Sequence, residues 1–277
     1  MTVLIKSYAK INLFLHIIDR LENGYHNLDT ILSRINLYDE IKIQDSNNFN
    51  VRYEGKFSPM INVNDNITLL FNYLIENEFI KNKNYNITII KNIPVGSGLG
   101  GGSSNTAAIL NYLKKINILC DSQCIHVARA LGSDIEFFLE DKPAKIHGRG
   151  NVETRIKIMS DMYFLIVYPN ILLSTKKIFS KNKKYRAQKF IYNDQMTLKN
   201  ILLDTANDLE DSALSDQKEI QSVKNFFQND KNCQFSRMTG SGSAFFGCYQ
   251  SKINLEEAIS ILNNEQPSWW VSQAELI

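Results

Sequence analysis

The chain has 277 residues, 44% of them hydrophobic, which is enough to bury a core in one large domain or two of ordinary size. The formal net charge is only +2, so we expect no charge-driven binding to nucleic acid or to a membrane surface. The apolar N-terminus is interrupted by Lys6, Lys10 and Asn12 and makes a poor secretory signal, and no apolar run approaches the ~20 residues of a membrane span.

The four cysteines, Cys120, Cys124, Cys233 and Cys248, do not form a CxxC pair. Without a secretory signal, this usage predicts reduced thiols in a cytoplasmic protein rather than a disulfide framework. Cys120 and Cys124 could share one face of a helix with His126 nearby, which would suit zinc. Small buried side chains are the simpler interpretation of this pair.

In chain order, residues 3–18 predict a strand or hairpin, because apolar side chains alternate along them. Lys10 and Asn12 fall on the face opposite the apolar residues. Judged by itself, a lysine in that place is most simply a solvated strand residue.

A turn signal, Asn23-Gly24, comes next and is followed directly by Tyr25 and His26. An aromatic residue and a histidine after a tight turn can stack on a nucleobase. They can equally pack within the loop, and the residues themselves leave both interpretations open.

Residues 28–53 predict further strands, and a helix is predicted after Asn64-Asp65-Asn66. The β-branched run Ile87–Ile90 predicts the next strand. The apolar face of the helix would consist of residues at helical spacing, namely Ile67, Leu70, Phe71, Leu74 and Ile75.

A loop rich in glycine and serine lies between that strand and a following helical pattern. Its residues are Pro94, Val95, Gly96, Ser97, Gly98, Leu99, Gly100, Gly101, Gly102, Ser103 and Ser104. Glycine lets a ligand approach the backbone, and a helix start offers unpaired N–H groups and the positive end of a dipole. The combination predicts a phosphate site, with a flexible surface loop as the alternative.

Three common phosphate motifs fit this loop poorly. The spacing Gly96-x-Gly98-x-x-Gly101 matches a dinucleotide fingerprint, with Asp121 as its acid, but repeated βαβ units are not evident. Gly102 stands where a Walker A loop has lysine, and the HRD and DFG sequences of protein kinases are missing. A nucleoside-triphosphate loop of another kind remains.

A helix is predicted from Asp121, as its N-cap, to Leu131, ending at Gly132. Asp134 then enters an apolar run that reads as a strand. This acid is either a cap or turn residue, or a partly buried carboxylate that a neighbouring lysine would keep charged as a base. Gly148-Arg149-Gly150 predicts a tight turn.

The apolar run Tyr163–Tyr168 predicts a buried strand, and we place a domain boundary just before it. The predicted domains are residues 1–157 and 158–277. A second glycine-serine loop is Met238–Ser243. The other elements predicted in this part are helices near 206–210 and over 220–227, strands over 235–238 and 245–249, a helix over 255–262 and a strand over 269–274.

Three separated motifs resemble those of the GHMP small-molecule kinases. They are Lys10-Ile11-Asn12-Leu13, the loop from Pro94 to Ala107, and Met238–Ser243. Within that superfamily the chain is most similar to the kinases of the non-mevalonate isoprenoid pathway, whose substrate is a methylerythritol linked to cytidine diphosphate. The segments that narrow the resemblance are Ala9–Leu13 running into Gly24-Tyr25-His26, then 131–134 with 137–138, 148–150 and 207–210.

The resemblance implies an α+β, two-domain GHMP kinase fold with the active site in the cleft between its halves. The N-terminal half would be like the second domain of ribosomal protein S5, and the C-terminal half would be ferredoxin-like. The implied reaction is ATP-dependent phosphorylation of the substrate's 2-hydroxyl, with ATP and Mg²⁺ as cofactors. The implied partner is a small-molecule substrate, with no nucleic acid, membrane or protein partner.

The resemblance also implies roles for particular residues in phosphoryl transfer. Asp134 would accept the proton of the 2-hydroxyl, and Lys10 beside it would stabilise the developing alkoxide. The main-chain N–H groups of residues 96–104 would hold the ATP phosphates, and Ser104 would contact Mg²⁺.

On the substrate side, Tyr25 would stack on the cytosine and His26 would hydrogen-bond its edge. Asn12 would contact the erythritol or its phosphate. The remaining implied contacts are Phe179 on the second cytosine face, and Gly240 and Ser241 on the diphosphate side.

The chain departs from the family pattern at a few positions. Ser133 stands where alanine usually precedes the catalytic Asp, and Thr239 and Ser241 vary the third motif mildly. Glu136 stands where proline is usual, which could change the loop geometry or the local charge.

Two other functions compete with this interpretation. One is a sister kinase for homoserine, mevalonate or a sugar, but those substrates carry no base for Tyr25 and His26 to bind. The other is a nucleotide- or RNA-binding module without catalysis, against which Lys10 together with Asp134 argues, because a pure binder needs no carboxylate in an anion site.

Overall fold

Two long strands open the chain, β1 (Thr2–Arg20) and β2 (His26–Asp45), and they pair with each other. Each is far longer than the ~5–6 residues of an average strand. The computed structural model describes residues 2–22, 24–61, 65–82 and 84–277, so Asn23 and Asn64 of the predicted turn and helix start lie outside the described residues. The strand predicted over residues 3–18 is confirmed as one continuous strand.

The chain divides into two units. Unit 1 comprises Met1–Ala9, Leu37–Val95 and Gly100–Asp141, and unit 2 comprises Lys10–Asn36, Gly96–Leu99 and Lys142–Ile277. Both β1 and β2 therefore contribute residues to each unit.

Unit 1 combines a short run of strands with helices. Its strands besides β1 and β2 are β3 (Asn50–Glu54) and β4 (Tyr85–Ile90), and its helices are α1 (Asn66–Glu76), α2 (Gly101–Lys115), α3 (Asp121–Leu131) and α4 (Ile135–Phe138). β4 pairs antiparallel with residues 40–45 of β2 and parallel with β3. α2 packs against the three other helices.

Helix α1 forms where the sequence predicts it. The Asp65 side chain caps it by accepting hydrogen bonds from the N–H groups of Ile67 (2.9 Å) and Thr68 (3.0 Å). Four of the five residues predicted for its apolar face are buried, namely Ile67, Leu70, Phe71 and Leu74, whereas Ile75 at the end of that face is half-buried. Burial of that apolar stripe is the main stabilisation of a helix this short.

Two details of the predicted α3 region are wrong. Cys120, not Asp121, is the N-cap, and its N–H donates to Gln123 Oε1 at 2.8 Å. The strand predicted after Asp134 is helix α4, whose four residues are all buried. A short run that is buried on all sides has no alternation, so its pattern cannot distinguish a helical turn from a strand.

Unit 2 contains the remaining elements. Its strands besides β1 and β2 are β5 (Ala144–Gly148), β6 (Asn151–Arg155), β7 (Tyr163–Tyr168), β8 (Phe235–Met238), β9 (Phe245–Tyr249) and β10 (Trp270–Ala274). Its helices are α5 (Thr175–Lys181), α6 (Leu198–Leu203), α7 (Glu210–Leu214), α8 (Lys218–Asn229) and α9 (Lys252–Glu265).

Two groups of strands organise unit 2. Residues 28–32 of β2 pair antiparallel with β5, which pairs antiparallel with β6. A four-stranded antiparallel sheet has the order β10-β7-β9-β8. The mixture of antiparallel strands and helices confirms the predicted α+β class.

The four-stranded sheet and helices α8 and α9 enclose an apolar core. Side chains from both helices and from β7, β8 and β9 form one buried cluster, among them Leu165, Val167, Ile220, Val223, Phe245, Leu255 and Leu262. This cluster explains why the alternating and 3.6-residue patterns of the second half were readable from the sequence. Within the described residues, none of the helices has the length and apolar character needed to cross a membrane.

Candidate active-site residues

The glycine loop has a backbone that few other residues could adopt. Gly96, Gly98 and Gly100 have φ angles of +66°, +83° and +74°, and α2 begins directly after Gly100. At Gly98 a Cβ would also lie 2.3 Å from the carbonyl oxygen of Thr239. Glycine is therefore required there for both conformation and space, and the N–H groups at the start of α2 follow at once.

Parts of all three GHMP-like motifs are hydrogen-bonded together within unit 2. The Lys10 N–H donates to the carbonyl of Leu99 at 2.9 Å, which joins the first motif to the glycine loop. The Ala244 N–H donates to the carbonyl of Ser97 at 3.0 Å, which joins that loop to the residue directly after the third motif. Backbone hydrogen bonds thus connect segments that lie more than 80 residues apart in the chain.

Lys10 is not the solvated strand lysine of the simpler interpretation. Lys10 is only 3% exposed, and its side-chain ammonium donates a hydrogen bond to Asn12 Oδ1 at 2.6 Å. A buried ammonium requires such polar partners, because an isolated charge away from water is costly. Lys10 is thus held in a defined position by a neighbour two residues along β1.

Asn12 is fixed by two threonines. Its N–H donates to Thr239 Oγ1 at 2.9 Å, and its side-chain amide donates to Thr30 Oγ1 at 3.0 Å. The Thr239 hydroxyl lies 3.3 Å from Asn12 Oδ1 and 3.4 Å from the carbonyl oxygen of Gly98, so it can donate to either. Thr239, which the sequence suggested only as a mild variation, is the residue that connects Asn12 with the glycine loop.

The third motif is held by a residue that the sequence did not single out for this purpose. The side-chain amide of Asn207 donates to the carbonyls of Met238 (2.7 Å) and Gly240 (2.8 Å). Ser241 Oγ lies 3.0 Å from Thr175 Oγ1 at the start of α5. The similarity at 207–210 was the available signal, but a sequence pattern does not reveal which carbonyls an amide will bind.

Three aromatic residues proposed for substrate binding belong to unit 2. Tyr25 is 55% exposed, whereas His26 and Phe179 are in contact, with ring centroids 5.0 Å apart and planes tilted by 38°. Phe179 lies on α5 and packs against the unit 2 core. The structure therefore brings Phe179 to His26, while a position of Phe179 across a base from Tyr25 stays a prediction.

The His26 imidazole has a lowered pKa. Burial lowers the pKa first, and the positive charge of Arg20 adds to the effect. The ring is therefore neutral at physiological pH, with one nitrogen donating and the other accepting a hydrogen bond. That combination suits the edge of a base that presents both a donor and acceptors.

In unit 1, Asp134 is the N-cap residue of α4 and makes no side-chain capping bond. Ser133 Oγ lies 3.4 Å from Asp134 Oδ1. The residues that follow, Phe137 and Phe138, pack edge to face at 4.9 Å and anchor the short helix. Asp134 belongs to unit 1 and Lys10 to unit 2, and their pairing stays a prediction.

Glu136, the residue in place of the family's usual proline, has a defined partner. Arg129 on α3 donates to both of its carboxylate oxygens, at 2.8 and 2.7 Å. This bidentate pair raises the pKa of Arg129 and neutralises the added carboxylate. The substitution thus adds no unbalanced negative charge beside Asp134.

The proposed metal contact, Ser104, lies inside unit 1. It is 3% exposed, and its hydroxyl lies 2.7 Å from that of Ser7 on β1. Within the part of the chain that the structure describes, no cluster of three or more His, Cys, Asp or Glu side chains could hold a metal by itself.

Residues 67–141 match the family model described as the GHMP kinases N terminal domain. Curated relatives match over nearly the whole chain. A Wolbachia protein from the strain wRi is 31% identical over 283 residues, covering 99% of this chain and 98% of its own length. A Pelagibacter ubique protein is 31% identical over 278 residues, with coverages of 99% and 98%. Both are named 4-diphosphocytidyl-2-C-methyl-D-erythritol kinase.

Solved structures share the fold. A crystal structure of 4-(cytidine 5'-diphospho)-2C-methyl-D-erythritol kinase aligns with a TM-score of 0.78 at 24% identity, covering 98% of this chain and 99% of that one. Mevalonate kinase from Methanococcus jannaschii aligns with a TM-score of 0.65 at 16% identity, with coverages of 100% and 99%. The predicted GHMP kinase fold is confirmed.

Proposed function

This chain belongs to the 4-diphosphocytidyl-2-C-methyl-D-erythritol kinase family of GHMP kinases, and from that premise we propose its reaction. It transfers a phosphoryl group from ATP to the 2-hydroxyl of 4-diphosphocytidyl-2-C-methyl-D-erythritol, giving the 2-phosphate and ADP in the non-mevalonate isoprenoid pathway. The observation that carries the proposal is the similarity over 99% of the chain to relatives of that name, at 31% identity.

The glycine loop is the proposed binding site for the ATP phosphates. The left-handed glycines and the start of α2 support this role, because they leave main-chain N–H groups without partners in the helix. The residues involved would be Pro94 to Ser104. When bound with ATP, Mg²⁺ supplies positive charge that neutralises the phosphate oxygens, and Ser104 is the proposed protein contact.

Asp134 is the proposed acceptor of the proton from the substrate's 2-hydroxyl. A carboxylate can take that proton as the oxygen attacks the terminal phosphate. Lys10 is the proposed stabiliser of the developing alkoxide, and its bond to Asn12 supports this role by fixing the ammonium. Positioning of this kind accounts for much of the acceleration of phosphoryl transfer.

The cytidine part of the substrate is the proposed ligand of the aromatic residues. Tyr25 would stack on the cytosine, and the neutral His26 would donate to and accept from its edge. Phe179 is the proposed aromatic residue on the second face. Asn12 would contact the erythritol or its phosphate, and Gly240 and Ser241 would contact the diphosphate.

Some finer expectations remain part of the proposal. The N-terminal half would be like the second domain of ribosomal protein S5 and the C-terminal half ferredoxin-like, with the boundary between residues 157 and 158. The enzyme would act in the cytoplasm, on a small-molecule substrate and without a protein partner.

Product analysis tests the proposed reaction. Purified protein is incubated with ATP, Mg²⁺ and 4-diphosphocytidyl-2-C-methyl-D-erythritol, and the products are examined by mass spectrometry and phosphorus NMR. We expect a product heavier than the substrate by one phosphoryl group, with the new phosphorus coupled to the C2 position. A phosphoryl group at another hydroxyl would contradict the proposed position of transfer. Consumption of ATP without a phosphorylated acceptor would contradict the proposed reaction as a whole.

A further inference from the structure

The turn between β5 and β6 carries an arginine that lies over Tyr25. The guanidinium carbon of Arg149 is 3.9 Å from the centroid of the Tyr25 ring. A cation within about 6 Å of a ring centroid is attracted by the negative face of the ring. The sequence predicted a tight turn at residues 148–150, which is also one of the segments that narrow the family resemblance, but it assigned Arg149 no contact with Tyr25.

The backbone places the arginine there. In the β2–β5 pairing Leu28 lies opposite Gly148 and Asp29 opposite His147, so the turn after β5 lies beside the residues that precede Leu28. The Gly150 N–H donates to the carbonyl of His147 at 3.2 Å and closes the turn. The strand register therefore aims the turn at the Tyr25 loop, and Arg149 is exposed at its tip.

Tyr25 lies in the connection between β1 and β2, called here the Tyr25 loop, and side-chain contacts surround it. Tyr25 is 55% exposed, so the core does little to select one ring orientation. Arg20 fixes the backbone beside it, because its Nε donates to the carbonyl of Gly24 at 3.4 Å. The neighbouring His26 is held by its ring contact with Phe179. A planar guanidinium stacked over the Tyr25 ring is a contact that restricts the orientation of the side chain itself.

We propose that Arg149 is a positioning residue for substrate recognition, which holds the Tyr25 ring in the orientation that stacks on the cytosine of the substrate. This inference rests on the proposed function, because it assumes that Tyr25 binds the base. A side chain that is ordered before binding loses less conformational entropy when the ligand arrives. Arg149 therefore improves affinity for the cytidine part without touching the reacting atoms.

The first test is binding of CDP to the full chain by calorimetry, which needs no turnover. Arg149→Met removes the charge and the planar group but keeps a flexible apolar stem, and Lys199→Met removes one exposed positive charge elsewhere as a matched control. We expect Arg149→Met to weaken CDP binding about two- to fivefold, the range of an exposed cation–π contact. The control should bind CDP like the wild type, and equal binding by all three proteins would overturn the proposal.

The second test is a comparison of kinetic constants. Arg149→Met should raise KM for the cytidine-linked substrate by the same factor, while KM for ATP and kcat stay unchanged. A merely structural role would change all three constants together. If the wild type binds CDP but does not phosphorylate the cytidine-linked substrate, the proposed function fails, while the CDP result still decides the role of Arg149.

A double-mutant cycle identifies the residue through which Arg149 acts. In a Tyr25→Ala background, the further change Arg149→Met should have no additional effect on CDP binding. An undiminished two- to fivefold loss in that background would mean that Arg149 contacts the ligand by itself, and the positioning role would be overturned. Thermal unfolding of each variant checks that the turn and the fold persist.

Discussion

Replacing Gly98 with alanine tests whether the glycine loop depends on its contact with the third motif. Gly98 has a φ of +83°, and a Cβ there would lie 2.3 Å from the carbonyl oxygen of Thr239 and 3.2 Å from that of Gly242. Both obstacles are backbone atoms, so no side-chain rotation relieves the overlap. We expect the left-handed conformation to cost about 1–2 kcal/mol for alanine and the displaced backbone about 1–3 kcal/mol more.

Gly24 provides a matched control. Its φ is also +83°, but the nearest atom to an added Cβ is Arg20 Nη2, at 3.9 Å. Gly24→Ala therefore carries the conformational cost without the overlap. In denaturant unfolding, we expect Gly98→Ala to be less stable than Gly24→Ala by about 1–3 kcal/mol.

The same pair of variants separates stability from nucleotide binding. Gly98→Ala displaces the segment of the loop that is bonded to Lys10 and Ala244, so we expect ATP affinity to fall by about tenfold, equivalent to 1.4 kcal/mol. Gly24→Ala should leave ATP affinity unchanged. Equal stability and equal ATP affinity in the two variants would refute the assignment of Gly98 to a sterically restricted phosphate loop.

Three further variants test individual groups. Asp134→Asn should lower turnover by about 10²–10⁴-fold, the range for a positioned general base, with ATP binding by calorimetry unchanged; near-normal turnover would remove Asp134 from the mechanism. Thr239→Val leaves the buried N–H of Asn12 unpaired, at a cost of about 1–3 kcal/mol, so both stability and kcat should fall. Thr239→Ser should retain both, because serine keeps the hydroxyl. Equal losses in the two variants would contradict the role of that hydroxyl. Burial lowers the pKa of His16 to about 4, although Asp208 opposes the shift. As the pH falls, His16 is therefore protonated in the unfolded chain before it is protonated in the folded one. The free energy of unfolding should consequently decrease by up to about 3 kcal/mol as the pH is lowered from about 6.5 to about 4. His16→Gln keeps an acceptor for the backbone N–H that His16 binds and should flatten that part of the curve, whereas an unchanged curve would exclude His16 as its origin.

Much of the second half could be predicted because each element carries its own pattern. The strands Phe235–Met238 and Phe245–Tyr249 have the predicted bounds, and the helix predicted over 255–262 lies inside α9. These elements form one buried core, and burial of one face produces the periodicity that a sequence displays. Helices α5 and α6 were not predicted, since each is too short for a period to repeat.

The glycine loop was predictable for a different physical reason. Its residues with positive φ require glycine, so the residue types themselves indicate the backbone conformation. The environment of Lys10 could not be predicted from the sequence, because its hydrogen-bond partners come from β1 itself and from a segment more than 80 residues further along the chain. No local pattern tells a buried, hydrogen-bonded strand lysine from a solvated one.

Neither periodicity nor residue type identifies the residues that position other side chains. Thr239 and Asn207 each make several hydrogen bonds, and Arg149 lies over the ring of Tyr25, in every case with partners that the fold brings to them from other segments. Asn207 stood in a segment similar to the family, but the similarity named no partner. Contacts of this kind depend on strand register and on helix starts, which become known only when the chain is folded.

The central claim is that this kinase acts on a cytidine-linked methylerythritol, and acceptor specificity tests it most directly. ADP release is measured with purified protein, ATP and Mg²⁺, in parallel reactions that contain 4-diphosphocytidyl-2-C-methyl-D-erythritol, mevalonate, homoserine or no acceptor. We predict turnover with the first acceptor alone. Turnover with mevalonate or homoserine instead would keep the glycine loop, Lys10 and Asp134 but contradict the cytidine site, and ATP binding without turnover on any acceptor would contradict the assignment as a kinase.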